Sequence, residues 1–338
     1  MGAYICTISE RDWDKARQLG VYGNRFYFKE EGKELRDSEK LSIIRDLVSI
    51  REKDVIFFHV RGRKTIHGVY IARSQAIWDE EKIWEDEEPF PCRFLFEPHP
   101  KYKKLCRYDV HITVESLYEL IDQGKIKSLV TLEFEQRLEA RAVRRIFEED
   151  ANEIIRLLYR DFDLKNKEKK SIGPLYNPRE ITPLKNKIYR VGELENAIKA
   201  VISWKLANKD KDLIHLLGID EPYDFVNEFF VAPTTRKNID FLCKTPKKYI
   251  VIEVKTGKCG VDALKQALYY ADLLKQRPWV NREKEKLVVL IGKKFSSSIK
   301  HYAKIINDKI KVNTKVKLIR YKPTEDKKWA ELYEEQIL

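Results

Sequence analysis

No stretch of the chain approaches the roughly 20 apolar residues needed to span a bilayer, and no Gly-x-x-x-x-Gly-Lys or Gly-x-Gly-x-x-Gly run offers a backbone cradle for phosphates. A membrane span, an ATP motor and a dinucleotide site are therefore not expected. The cysteines Cys6, Cys92, Cys106, Cys243 and Cys259 are odd in number and show no C-x-x-C spacing, which points to reduced thiols and no zinc site. The histidines His59, His67, His99, His111, His215 and His301 are scattered without ligand spacing. The N-terminal Met1-Gly2-Ala3-Tyr4 lacks a signal-peptide pattern, so a cytoplasmic protein is expected. With one methionine and 36% charged residues, the composition suits a thermophilic source.

At 338 residues the chain is too long for one small core and suits two domains. Its formal net charge of +12 favours a polyanionic partner such as nucleic acid, though lysine-rich surfaces also occur in proteins that bind nothing acidic. Up to about residue 160, strands are expected at Tyr4 to Ile8, Val55 to Val60, Gly68 to Ala72 and Arg93 to Glu97. Helices are expected at Asp12 to Leu19, Val114 to Ile121 and Glu139 to Tyr159. From Asp161 to Lys187 apolar periodicity lapses into Lys, Asn, Pro and Gly, which reads as a basic linker or loop. Beyond it the pattern runs helix, strand, strand, helix, and then a strand at Lys286 to Ile291, a helix at Ser296 to Ile306 and a strand at Lys315 to Tyr321. Alternating strands and helices imply an α/β sheet.

The segment from Lys237 to Lys255 carries the most chemistry. Thr245-Pro246-Lys247-Lys248 reads as a turn, because proline presets the backbone angle and lysines solvate the tip. Folding there sets Lys244 opposite Tyr249, Leu242 opposite Val251 and Asp240 opposite Glu253. Directly opposed residues have Cβ atoms roughly 4.5 to 5.5 Å apart on one face, so the two carboxylates converge. Lys255, two residues beyond Glu253, shares that face. The run from Tyr249 to Val254 is otherwise apolar, as in a strand covered on both sides, and unpaired charge buried there costs several kcal/mol (roughly). A cation between the carboxylates, or a plain carboxylate–lysine ion pair, satisfies the same residues.

Asp240 followed by Glu253-Val254-Lys255 on the next strand resembles the PD-(D/E)XK nuclease superfamily, and its wording is similar to the RecB-like and archaeal NucS-type branches. The resemblance implies a restriction-endonuclease-like mixed sheet flanked by helices over residues 188–338. It implies an upstream helix with an inward Glu. Residues 190 to 205 supply that helix, with Glu195 on the stripe of Val191, Leu194, Ile198, Val201 and Ile202; a Glu at the stripe's edge with its carboxylate in water is the plain alternative. RecB-like members also carry Gln-x-x-x-Tyr after the lysine strand, matched by Gln266 and Tyr270 at i,i+4 on a helix from Val261 to Lys275, with Asp262 as N-cap. By the same likeness Asp240, Glu253, Glu195 and the Val254 carbonyl hold one or two Mg²⁺ (or Mn²⁺), and Lys255 serves the attacking water or the phosphate.

Residues 1–160 resemble the EVE domains of the PUA-like group, relatives of the YTH readers of methylated adenine, through spacing and aromatic character. That resemblance implies a small β-barrel with helices whose pocket holds one flipped, modified base. Tyr22 falls where the family usually has a cage Trp, Trp84 matches the second wall, and Asp12 stands where relatives often carry Asn; Trp13 and Trp78 complete the candidate aromatic set. Stacking returns about 1 to 3 kcal/mol per base. Core aromatics are the plain alternative. Arg61, Arg63 and Lys64 read as a basic hairpin tip suited to phosphate contact, or as a solvated turn.

Joined, the halves imply a modification-dependent restriction endonuclease, Mg²⁺-dependent and acting on DNA, most readily double-stranded DNA. The alternatives are a structure- or mismatch-specific repair nuclease and a non-catalytic RNA- or DNA-binding adaptor. Since one active site cuts one strand, double-strand cleavage favours a homodimer.

Overall fold

The computed structural model describes residues 1–26, 35–84, 89–134, 142–160, 175–232, 237–309 and 313–337. The chain is mixed α/β and separates into two compact units, Met1–Lys187 and Ile188–Leu338. Among the described residues no helix is long and apolar enough to cross a membrane. All five cysteines are free and buried.

The first unit contains strands β1 (Ala3–Ile8), β2 (Val21–Asn24), β3 (Val55–Val60), β4 (Thr65–Ala72), β5 (Ile77–Trp78), β6 (Cys92–Pro98), β7 (His111–Thr113), β8 (Val143–Ile146) and β9 (Thr182–Pro183). Helices α1 (Glu10–Leu19), α2 (Asp37–Leu47), α3 (Val114–Asp122) and α4 (Glu148–Arg160) accompany them. The sheet runs β8-β1-β3-β4-β6-β5-β9, with β2 on β6 and β7 on β4. No pairing closes this path into a ring among the described residues.

Two expectations shift here. Residues 143–146, expected within a helix, form β8 along the free edge of β1, where Tyr4 faces Arg145 and Ile5 faces Arg144. An unpaired sheet edge outweighs a weak local helix preference. Residues 175–187, expected in the linker, belong to the first unit: Thr182 and Pro183 pair with Trp78 and Ile77. Residues 161–174 of that stretch lie outside the described residues.

Gly20 turns the chain from α1 into β2. Its φ is +64°, its N–H caps Ala16 O, and a Cβ there would lie 2.5 Å from the Phe96 carbonyl oxygen. Glycine alone meets both conditions without strain.

The second unit holds α5 (Glu195–Ala207), α6 (Lys211–Leu216), β10 (Asp224–Ala232), β11 (Lys237–Lys244), β12 (Lys248–Cys259), α7 (Val261–Leu274), β13 (Glu285–Phe295), α8 (Ser297–Asp308), β14 (Thr314–Pro323) and β15 (Ala330–Glu334). The sheet order is β10-β11-β12-β13-β14-β15. Strands β12, β13 and β14 are parallel and joined by crossover helices α7 and α8, while β10–β11, β11–β12 and β14–β15 are antiparallel. Helices α5 and α7 pack on β12 and α8 on β14. The β-branched run Ile250, Val251, Ile252 and Val254 is fully buried, as expected of a strand covered on both faces.

The β11–β12 hairpin has the expected register: Lys244 faces Tyr249 and Leu242 faces Val251. Thr245 closes the turn, its hydroxyl accepting from the N–H groups of Lys247 and Lys248. Helix α5 starts later than expected, at Glu195 rather than 190. Arg190 (φ +57°) and Gly192 (φ +90°) are left-handed, and Val191 bridges to Leu194, so these residues form a turn that places Val191 in the core without a helix. Helix α7 is capped at Gly260, with Asp262 inside its first turn rather than at the cap.

Because Ile250 packs on every side, Ile250→Ala should destabilise the protein by about 2 to 5 kcal/mol in denaturant unfolding. A loss under about 1 kcal/mol would contradict a close-packed β12.

Candidate functional site

The ladder between β11 and β12 stops at Phe241 and Ile252. One position further, side chains take over the backbone's hydrogen bonds. Val254 N–H donates to Asp240 Oδ2 at 2.7 Å, and Asp240 N–H faces Glu253 Oε1 at 3.4 Å. Both carboxylates are buried, Asp240 at 6% and Glu253 at 2% exposure. Lys255 Nζ lies 3.5 Å from Glu253 Oε2, on the face that strand alternation assigns to it.

Helix α5 delivers two more charges. Glu195 opens the helix, and one turn on Lys199 projects a buried ammonium onto three carboxylates. It lies 2.5 Å from Asp240 Oδ1, 2.9 Å from Glu195 Oε1 and 3.4 Å from Glu228 Oε1. Glu228 comes from β10, where the pairs Asn227–Phe241 and Phe229–Ile239 flank it. Its φ of +52° is a left-handed angle for a non-glycine residue within a strand, a conformation that costs roughly 1 to 3 kcal/mol and clusters at functional sites.

Lys199 and Glu228 were not among the expected site residues. A signal existed: each is a lone charge in an apolar run, Ala197-Ile198-Lys199-Ala200-Val201 and Phe225-Val226-Asn227-Glu228-Phe229-Phe230. Gln266 and Tyr270 share a face of α7, with Gln266 Nε2 donating to Tyr270 Oη at 2.7 Å. Among the described residues they make no hydrogen bond to the carboxylates.

Electrostatics follow from burial. Desolvation pushes Glu253 up to about 8, with the Asp240 charge adding to the shift and Lys255 and Lys199 opposing it. Burial also raises Asp240, against the pull of Lys199. Lys199 is lowered by burial, but Asp240, Glu228 and Glu195 together carry it above the ordinary lysine value. Two ammoniums, Lys199 and Lys255, lie at ion-pair distance from these four carboxylates. The donors are hard oxygens, the chemistry Mg²⁺ and Mn²⁺ select. With the side chains as they stand, no three His, Cys, Asp or Glu groups among the described residues converge at metal-binding distance; three of the acidic groups are instead drawn to the Lys199 ammonium.

In the first unit Asp12, Tyr22 and Trp84 line one cavity of about 140 Å³, together with Asn24, Arg61 and Phe90. Tyr22 forms its rigid wall: the ring packs on Phe58 and Phe94, and the hydroxyl lies within donating distance of two carbonyls, Thr7 O and Ala142 O. Trp84 stands edge-on to Phe90, 4.8 Å between ring centroids, and its buried indole N–H has no hydrogen-bond partner among the described residues. Buried donors left unpaired are rare in folded proteins. Behind Trp84 the Arg93 guanidinium sits 5.6 Å from the ring centroid, fixed by Asp79 Oδ2 at 2.5 Å and Phe90 O at 2.7 Å.

Trp13 and Trp78 are not part of this cavity. Trp13 is fully buried against Phe58, His67 and Tyr70, and the aromatic content that marked it serves the core. Trp78 lines a separate cavity of about 470 Å³ with Asp79, Glu80 and Glu81. Arg61, Arg63 and Lys64 form the exposed β3–β4 connection. Arg63 is held by Glu10 at 2.8 Å and the Tyr108 hydroxyl at 2.9 Å, while Arg61 reaches the cavity lining.

Glu253 carries a pH test. Its folded value lies above the ordinary 4.5, so its contribution stabilises the metal-free fold at low pH and is lost as pH rises toward about 8. Unfolding in EDTA should show wild type losing stability relative to Glu253→Gln between about pH 4.5 and 8; parallel pH curves would contradict the raised value. No family model and no curated protein matches this chain, so its function is argued from these side chains.

Proposed function

We propose that this chain is a metal-dependent endodeoxyribonuclease whose first unit reads a modified base. The observation that carries this reading is the convergence of Asp240, Glu253 and Lys255 where the β11–β12 ladder ends, all three drawn from one hairpin whose core is apolar. Asp240, Glu253 and Glu195, with Glu228 and the Val254 carbonyl nearby in the chain, would hold Mg²⁺ or Mn²⁺. Bound there, the ion supplies Lewis acidity toward a phosphodiester and lowers the pKa of a water.

The chain's own groups do the rest. The Val254 N–H fixes the rotamer of Asp240, which is preorganisation of a ligand by the backbone. Glu253 orients the Lys255 ammonium, half-buried and held above its ordinary pKa against burial by Asp240, Glu195 and Glu253, so it remains charged at neutral pH. A fixed ammonium beside a phosphate stabilises the charge that develops on the phosphoryl oxygens. Gln266 and Tyr270, paired on the neighbouring helix, form a polar edge suited to the nucleic-acid backbone.

For the reader, support comes from the cavity of Asp12, Tyr22 and Trp84 and from the unpaired Trp84 N–H. An extruded base would stack on the aromatic wall, accept from the indole and donate to Asp12, which accepts but cannot donate when ionised. One observation favours the non-catalytic adaptor: Lys199 already pairs with three of the four carboxylates.

Cleavage decides between them. With Mg²⁺, Lys255→Ala should lower the rate by about 10²- to 10³-fold with the fold intact, and EDTA should abolish cutting; an unchanged rate in either case refutes the nuclease. DNA carrying 5-methylcytosine, 5-hydroxymethylcytosine or N6-methyladenine, compared with an unmodified copy, tests the reader. One modification should be preferred and Trp84→Ala should erase the preference, whereas equal rates on all four substrates would remove the reading role and favour a repair nuclease.

A further inference from the structure

The acidic cluster already holds one cation: the Lys199 ammonium sits among Asp240, Glu195 and Glu228.

That ammonium divides the cluster's oxygens. Lys199 Nζ contacts Asp240 Oδ1, Glu195 Oε1 and Glu228 Oε1 between 2.5 and 3.4 Å. Those contacts collect three carboxylates from α5, β10 and β11 on one cation. The ammonium arrives on an α-helix between buried Ile198 and Ala200, and its side chain is 9% exposed. The left-handed φ at Glu228 brings in the third carboxylate at a cost in strain. Asp240 Oδ2, which accepts from the Val254 N–H, and Glu253, paired with Lys255, remain for a further cation.

We propose that Lys199 is a resident cation of the cluster, occupying the place a second metal would take, so that the site binds one divalent ion. The inference rests on the nuclease reading above and fixes its metal count. Lys199 is thereby a positioning residue: it gathers Glu195 and Glu228 around Asp240 and leaves room for one divalent ion.

The test counts ions without reference to turnover. Mn²⁺ alone is titrated into the full chain, and bound ion is read from the loss of the free-Mn²⁺ paramagnetic resonance signal, counting only ions that Asp240→Asn no longer binds. Wild type should bind one Mn²⁺ per chain and Lys199→Met two, while Lys199→Arg, which keeps the charge, should bind one. Two ions in the wild type, or one in a folded Lys199→Met, overturns the inference while the metal site stands. No bound ion in the wild type sinks the nuclease reading itself. Should Lys199→Met fail to fold, Lys199→Gln repeats the count, and the wild-type number decides in either case.

Discussion

Past Phe241 and Ile252 strands β11 and β12 of the second unit no longer bond backbone to backbone. The next donors, the N–H groups of Val254 and Asp240, face carboxylate oxygens. A sheet that replaces two ladder bonds with acidic side chains commits itself to neutralising them, because buried carboxylates cannot rely on water. Much of the second unit follows from that commitment. Helix α5 is placed against β12 so that Lys199 can reach Asp240, β10 bends into a left-handed angle at Glu228, and Lys255 lies beside Glu253. Burial raises both Asp240 and Glu253, and the lysines beside them offset it only in part.

The first unit meets a comparable problem with one cation. Arg93 is fully buried in β6, and Asp79 with two backbone carbonyls, those of Phe90 and Glu81, receives its guanidinium. That arrangement lets a charged plane serve as backing for Trp84. The indole N–H has no hydrogen-bond partner among the described residues, while the guanidinium stiffens the ring's setting. Stiffness of this kind lowers the entropy lost when a planar ligand is stacked.

The hairpin was legible in the sequence because two strong signals agree: a Thr-Pro-Lys-Lys turn and apolar runs whose register lines up charge with charge. Sheet position of Lys255 followed from strand alternation alone. What escaped was set by tertiary context. Helix α5 carries an apolar stripe back to Val191, yet Gly192 and the left-handed Arg190 break the helix there, a backbone event that periodicity does not record. Strand β8 follows from an edge that only the folded β1 presents. Lys199 escaped because a helical stripe is counted from apolar residues, although a lone lysine inside one is itself a sign of a buried anion. Trp13 and Trp84 look alike in sequence; one packs against three rings and the other borders a cavity, a difference that depends on contacts far apart along the chain.

The most direct measurement is diffraction at the manganese absorption edge from crystals of the chain grown with Mn²⁺. An anomalous peak is expected at bonding distance from the carboxylates of Asp240 and Glu253. A map with no peak near either carboxylate, and Lys199 still seated on Asp240, would contradict it.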